Sequence, residues 1–283
     1  MAHKVLVERM IPCPSLEAWA MNQGVTKYSF TGTLEQAFEM LRELKVSDAQ
    51  AEAKSGHYNK HGCWAAVAMF LSIFMVNVSP YLAMVCGAVA VVYLIWALLM
   101  SSRHSAHNLA NHRYELPLQL LESISVDLDP HKPVSMDIDF RSGYESTFRT
   151  NVEQPKFLGL FSYGTKVTFY RQCWLSLSAT AADGQKLEVE IVQNGKLKEK
   201  PKRKRTKRTY RSSEVLTVNV RPARGETVKK VGPIEAPMGQ SWANFRGQAT
   251  ERTASAKALS GRSASFSARH VAIMLAACFR ALV

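Results

Sequence analysis

The chain has no Asp or Glu between Glu52 and Glu115, and no charged side chain of either sign from Cys63 to Met100. An ion or proton relay inside that run would have nothing to work with, which disfavours a transporter. Cysteine is sparse and scattered: Cys13, Cys63, Cys86, Cys173 and Cys278 are odd in number and contain no CxxC pair. That spacing excludes a disulfide framework and suits a reducing compartment. The signatures GxxxxGK[ST], GxSxG, HExxH and GxGxxG are absent, and no convergent set of catalytic groups is visible. No enzyme activity and no cofactor are therefore expected. The first thirty residues carry acids and lack a continuous apolar core, so no cleaved signal peptide is expected.

What the charge-free run contains instead is apolar bulk: CWAAVAMFLSIFMVNVSPYLAMVCGAVAVVYLIWALLM, Cys63 to Met100. It is too long for one ordinary span, and NVSP at Asn77–Pro80 divides it into segments of about 15 and about 20 residues. Pro80 suits the first turn of a helix, where its missing N–H costs nothing. The expectation is a two-helix transmembrane hairpin over residues 61–101; the alternative is a buried helical pair in a soluble protein. Lys54, Lys60, Arg103 and Arg113 flank the run and its turn has no charge, so both termini are expected in the cytoplasm, with the protein in the inner (plasma) membrane. Trp64, Tyr81 and Trp96 fall near the expected interfaces. Gly87 with Ala83, Ala88 and Ala90 offers a seat either for a second copy, making a homo-oligomer, or for the first helix.

Residues 1–60 read as an N-terminal cytoplasmic segment. In TLEQAFEMLREL, Thr33 and Gln36 have capping-box spacing, and Leu34, Phe38, Leu41 and Leu44 share a helical face. SDAQAEAKSG then reads as a polar connector. His57, His61, His104, His107 and His112 flank the hairpin on one side. His57, His61, His104 and His107 are the nearest approach to a metal or pH-sensing cluster, but Lys60 and Arg103 would repel a cation, so ordinary interfacial residues are expected and no metal site.

From 115 to 222 the pattern shifts to short, β-prone runs: LQLLESISVDL, KPVSMDIDF, ESTFRTNVE, TKVTFYRQCWLSLSAT, KLEVEIVQ and EVLTVNV. In KLEVEIV, Leu187, Val189 and Ile191 alternate with Lys186, Glu188 and Glu190, the signature of one buried face. ADGQ supplies a hairpin turn at Gly184. An antiparallel sandwich or small barrel is expected, making the chain α+β overall. Asp127, Asp129, Asp137 and Asp139 are candidates for an acidic patch, with solvated strand residues as the plainer reading. Residues 223–283 are rich in Ala, Ser and Arg and read as a flexible tail, ending in ARHVAIMLAACFRALV, long enough for a short helix.

The net charge is +13, and KLKEKPKRKRTKRTYR, Lys196 to Arg211, supplies ten of the 36 lysines and arginines. Polyanionic neighbours follow: anionic lipid headgroups, an acidic protein or nucleic acid. Lys202, Arg203, Lys204, Arg205, Lys207, Arg208 and Arg211 are the candidate anionic-surface residues, at the end of a hairpin between KLEVEIV and EVLTVNV; a merely solvated turn is the alternative. Nucleic acid ranks below lipid, because only Tyr210 interleaves the tract with an aromatic ring.

YRQCWLSLSATAADGQKLEVEIV, the basic tract and SSEVLTVNV, together Tyr170 to Val220, resemble a hairpin of uncharacterised bacterial two-span membrane proteins. Trp174, Asp183, Gly184 and the stretch from Lys202 to Arg211 carry the resemblance. It implies the same organisation, a membrane hairpin with a cytoplasmic β-domain, and no activity. The reading that follows is an integral membrane protein anchoring a basic cytoplasmic β-domain for binding or assembly. A ligand-gated membrane effector sensing a small anion and a membrane-tethered nucleic-acid binder are the alternatives.

Overall fold

The computed structural model describes residues 27–77, 79–105, 109–154, 164–201, 205–223, 225–228, 231–237, 243–260 and 265–282. Among these residues four α-helices and nine strands run in chain order: β1 (Lys27–Gly32), α1 (Leu34–Phe74), α2 (Pro80–Ser105), α3 (Asn111–Ile124), β2 (Val134–Asp139), β3 (Arg149–Glu153), β4 (Lys166–Thr180), β5 (Lys186–Pro201), β6 (Thr206–Arg221), β7 (Gly232–Ile234), β8 (Ala243–Thr250), β9 (Thr253–Leu259) and α4 (Ala268–Leu282). The chain is α+β, with all described strands in one antiparallel sheet of order β1-β2-β4-β5-β6-β9-β8-β7, and β3 beside the far half of β4.

The sheet is built by period-two alternation. Leu175, Leu177 and Ala179 of β4, Leu187, Val189 and Ile191 of β5, and Leu216, Val218 and Val220 of β6 are buried on one face. Helices cover that face: Leu41 and Leu44 of α1, Leu120 and Leu121 of α3, and Val271, Met274 and Leu275 of α4 complete a single core. Each such side chain contributes about 1.5–3 kcal/mol on leaving water. At the β4–β5 turn Gly184 has φ +87°, which a glycine adopts without strain.

Three expectations are corrected. The β-rich part is neither a sandwich nor a barrel; one sheet is covered by helices. The reason lies in LQLLESISVDL, which forms the last turns of α3 and a 3-10 turn, not a strand. Leu116, Leu120 and Ile124 bury at a helical interval of four, and that period won. The segment from 223 onward is not a flexible tail: its described parts include β8, β9 and α4. Ala254, Ala256 and Ala258 alternate inward on β9, and their small side chains let α4 approach closely. The polar connector SDAQAEAKSG is helical, so α1 runs unbroken from Leu34. The capping box at its start does form, with Thr33 Oγ1 accepting from Gln36 N and Gln36 Oε1 accepting from Thr33 N.

Helices α1 and α2 form an antiparallel hairpin around a 3-10 turn at Met75–Asn77. Their seam is made of small residues: Gly62, Ala65 and Ser72 against Ala83, Ala90, Ala97 and Ser101, all buried. Ala83 and Ala90 thus serve the hairpin itself, and a Cβ at Gly87 would meet Ser72 Oγ at 3.3 Å. Among the described residues nothing covers the outer faces; Trp64 is 72% and Tyr81 80% exposed, alongside Phe70, Ile73, Val85, Val92, Ile95 and Leu99. Among the described residues one helix, α2, is long and apolar enough to cross a membrane. The apolar part of α1 starts only after Asn59, Lys60 and His61.

The register orients these parts. Gly32 of β1 pairs with Val134, and Ser135 with Ser178, so α1 begins near the β4–β5 turn. Fourteen residues into α1, Asp48 is buried and accepts bonds from Leu109 N at 2.7 Å and Tyr114 Oη at 2.8 Å. In the next turn of contacts Arg113, at the start of α3, reaches Gln193 of β5. The helical hairpin therefore leaves the sheet at the end opposite the β4–β5 turn, the same end at which the β5–β6 hairpin projects.

Candidate functional site: a basic arm at the hairpin end

Strands β5 and β6 pair without interruption from Lys186↔Arg221 to Pro201↔Thr206. Beyond Gln193 they pass the ends of β2 and β9 and, with β3 and the first half of β4, form a four-stranded arm. Because side chains alternate, the arm has two chemically distinct faces.

The face continuous with the core, called the front, carries tyrosines. Tyr144 packs edge-on against Tyr170 at 5.5 Å and Tyr210 at 4.9 Å between ring centroids. Gly195 lies beneath them, where a Cβ would meet Tyr144 at 3.0 Å. Arg208 is also on this face, and its Nε donates to Glu199 at 2.9 Å.

The back face carries the cations. Phe169, Lys196 and Arg211 form one cross-strand row, Lys198 and Thr209 share the next, and Lys200 stands opposite Lys207 beyond them. Arg171 flanks the row nearest the core. Lys196 Nζ sits 4.7 Å above the Phe169 ring. The acid on this face, Glu153, lies on β3 at the arm's outer edge, and no ion pair involves these cations among the described residues. Toward the β4–β5 turn the same face is balanced by Glu188, ion-paired with Arg221, and by Glu190.

The candidates from the sequence therefore separate. Lys207 and Arg211 join the back face with Lys196, Lys198, Lys200 and Arg171. Arg208 turns to the front and is paired, Arg205 lies exposed beside the turn, and Lys202, Arg203 and Lys204 fall outside the described residues.

At the arm's root lies a buried polar cluster. Arg113 donates to the carbonyls of Asp139 and Arg141 and to Oε1 of Gln172 (3.3 Å) and Gln193 (2.9 Å), and its guanidinium stacks over Trp174. Burial lowers the Arg113 pKa, with Asp139 and Glu214 acting against that. Burial also works to raise the Asp139 carboxyl, but the Arg141 side chain and N–H outweigh it and leave the pKa lowered. Glu214 is buried and accepts from Phe266 N at 2.9 Å. Burial holds its pKa above the ordinary range against the pull of Phe266, Trp174 and Arg113. The Trp174 indole N–H faces that carboxyl without a hydrogen bond within 3.5 Å. The cluster is closed and fixes the root of the arm to α3. A sequence signal for it existed: Glu214 occupies an inward position in the series Glu214, Leu216, Val218, Val220.

The histidines do not converge. His57 and His61 touch through their Nε2 atoms at 3.0 Å, and His61 Nδ1 meets Tyr93 Oη at 2.8 Å. His104 stacks on Tyr58, His112 packs on Trp174 with burial lowering its pKa, and His107 lies outside the described residues. No group of three or more metal-capable side chains occurs among the described residues. Instead His57, His61, His104, Tyr58, Tyr93 and Trp96 form one connected set of ring contacts between α1 and α2, where the polar part of α1 ends. The acidic patch does not assemble either: Asp129 pairs with Lys132 and Asp139 with Arg141.

No family model, curated protein or solved structure matches this chain.

Proposed function

We propose that the chain is a membrane-anchored binding protein. In this reading the α1–α2 hairpin occupies the bilayer and the basic arm meets the anionic headgroups of the leaflet on the β-domain's side. The observation that carries it is the shared direction of the hairpin and the arm, supported by lengths of similar order. From Asp48 to His61, α1 rises about 20 Å. From Gln193 to Pro201, β5 advances about 26 Å. Both rises carry the arm toward the level of the His–Tyr–Trp contacts, and amphipathic rings prefer the membrane–water boundary.

The uncovered apolar faces of the hairpin support the same placement, because water-exposed patches of that extent are unusual in a soluble monomer. Lys54, Lys60 and Arg103 at the hairpin's base support a cytoplasmic β-domain. Basic side chains near an anionic leaflet contribute roughly 1 kcal/mol each, so the back face supplies several kcal/mol at moderate salt. Assembly through the hairpin remains a secondary role, since its small-residue seam is used internally.

The test uses the full chain in nanodiscs of phosphatidylcholine with and without phosphatidylglycerol. Amide exchange across Lys196–Arg211 is expected to slow with phosphatidylglycerol and to recover when Lys196, Lys198, Lys200, Lys207 and Arg211 are replaced by Gln. Exchange that ignores lipid charge but slows on adding single-stranded nucleic acid would favour a tethered nucleic-acid binder instead.

A further inference from the structure

The strand β6 is covered on both edges only in part. Strand β9 pairs with Val215 to Val220, and Ser260 N donates to Glu214 O at 2.8 Å; beyond that point no described strand lies along the outer edge of Thr206–Ser213. A run of unpaired backbone N–H and C=O groups is a template for strand addition. Proteins commonly blunt such an edge by keeping it short, whereas among the described residues this one continues past its last neighbour along the arm.

The side chains along the edge specify what it can accept. On the back, Lys207 and Arg211 stand on either side of Thr209. On the front, Tyr210 is 52% exposed, and Tyr144 and Tyr170 extend the ring surface beside it. A second copy is disfavoured, because antiparallel pairing of two such edges in a register that keeps their faces aligned would bring Lys207 of each against Arg211 of the other. An incoming strand with acids on one face and apolar side chains on the other meets both requirements at once.

We infer that the outer edge of β6, Thr206–Ser213, is a docking site for an extended segment of a partner protein in which acidic and apolar residues alternate. The added strand takes its affinity from main-chain bonds to β6 and its selectivity from Lys207 and Arg211 behind and Tyr210 in front. This site lies on the edge of the arm and shares Lys207 and Arg211 with the lipid reading, so membranes without anionic headgroups separate the two.

The experiment uses the full chain in phosphatidylcholine nanodiscs and a ten-residue peptide alternating glutamate with valine and phenylalanine. Two further versions carry N-methyl groups on alternate backbone nitrogens, one on each edge of the peptide strand. The expected result is at least tenfold slower amide exchange within Thr206–Ser213, with one methylated version binding normally and the other at least tenfold more weakly. Equal binding, or equal loss, of both methylated versions would overturn the proposal, as would protection confined to other strands. Tighter occupation of the same edge by an oligothymidine would overturn it too. Tyr210→Ser, an exposed change that leaves the backbone intact, should weaken the peptide about fivefold; no change would also count against the site.

Discussion

Lys196 of β5 stands directly opposite Arg211 of β6 on the back of the arm. Like charges in opposed cross-strand positions destabilise a sheet, and here a second such pair, Lys200 and Lys207, follows toward the tip. Phe169 shields one of these cations through its ring face, and the rest of the repulsion stands unrelieved. An anion at this face lowers that cost, which is the physical content of the lipid proposal.

Replacing Lys207 with Gln should therefore raise thermal stability in zwitterionic nanodiscs at low salt, by about 0.2–1 kcal/mol. The gain should vanish at high salt, where exposed charges are screened. Thermal unfolding of the two proteins across a salt series measures it.

Glu214 sets a pH dependence. Its folded pKa lies above its ordinary value of 4.5, so the folded state binds its proton more tightly than the unfolded chain. The stability this provides is complete below the ordinary value and is lost as pH rises through the folded value. Asp139, lowered in the folded state, acts in the opposite sense at more acidic pH. Glu214→Gln keeps an oxygen for Phe266 N–H, and the difference between variant and parent should grow in the variant's favour from pH 4.5 upward. Unfolding followed from pH 4 to 8 reads the difference directly.

Asp48 fastens the hairpin's base to α3. Asp48→Ala leaves the Tyr114 hydroxyl and the Leu109 N–H without their acceptor, at about 1–3 kcal/mol for the buried hydroxyl and less for the half-buried N–H. The β-domain should remain folded while the hairpin's base loosens. Amide exchange is expected to rise first around Asp48 and Leu109, ahead of the central strands.

The hairpin seam should resist bulk. Ala90→Leu inserts a large side chain between closely packed helices and should cost about 1–3 kcal/mol. Ala88→Leu, on the exposed side of α2, should be close to neutral. Comparing the two by thermal unfolding in nanodiscs separates a packed seam from a loose one.

The strands were legible wherever large apolar residues alternate, as in KLEVEIV and EVLTVNV, and the turn at Gly184 was legible from ADGQ. The region after 223 was not, because its inward positions on β9 are alanines, whose small size hides the period until α4 is seen to cover them. Leu118 to Leu128 misled for a different reason: a short apolar run fits both periods, and only the burial interval of four at Leu116, Leu120 and Ile124 separates them. The basic tract was readable as a hairpin end, yet the division of its cations between two faces depends on the β5–β6 register. Glu214 carried a signal, an acid in an inward strand position, that becomes meaningful only with Arg113 beside it, and nothing local in the sequence joins those two residues.

The central claim is that the hairpin and the arm tip share one membrane boundary. Spin labels on cysteines introduced at Val85, Lys207 and Asp183, each in the full chain in phosphatidylglycerol-containing nanodiscs, report depth by their accessibility to oxygen and to a water-soluble paramagnet. The account predicts hydrocarbon depth at Val85, headgroup depth at Lys207 and bulk water at Asp183, at the opposite end of the sheet. Aqueous accessibility at Lys207 equal to that at Asp183 would contradict it.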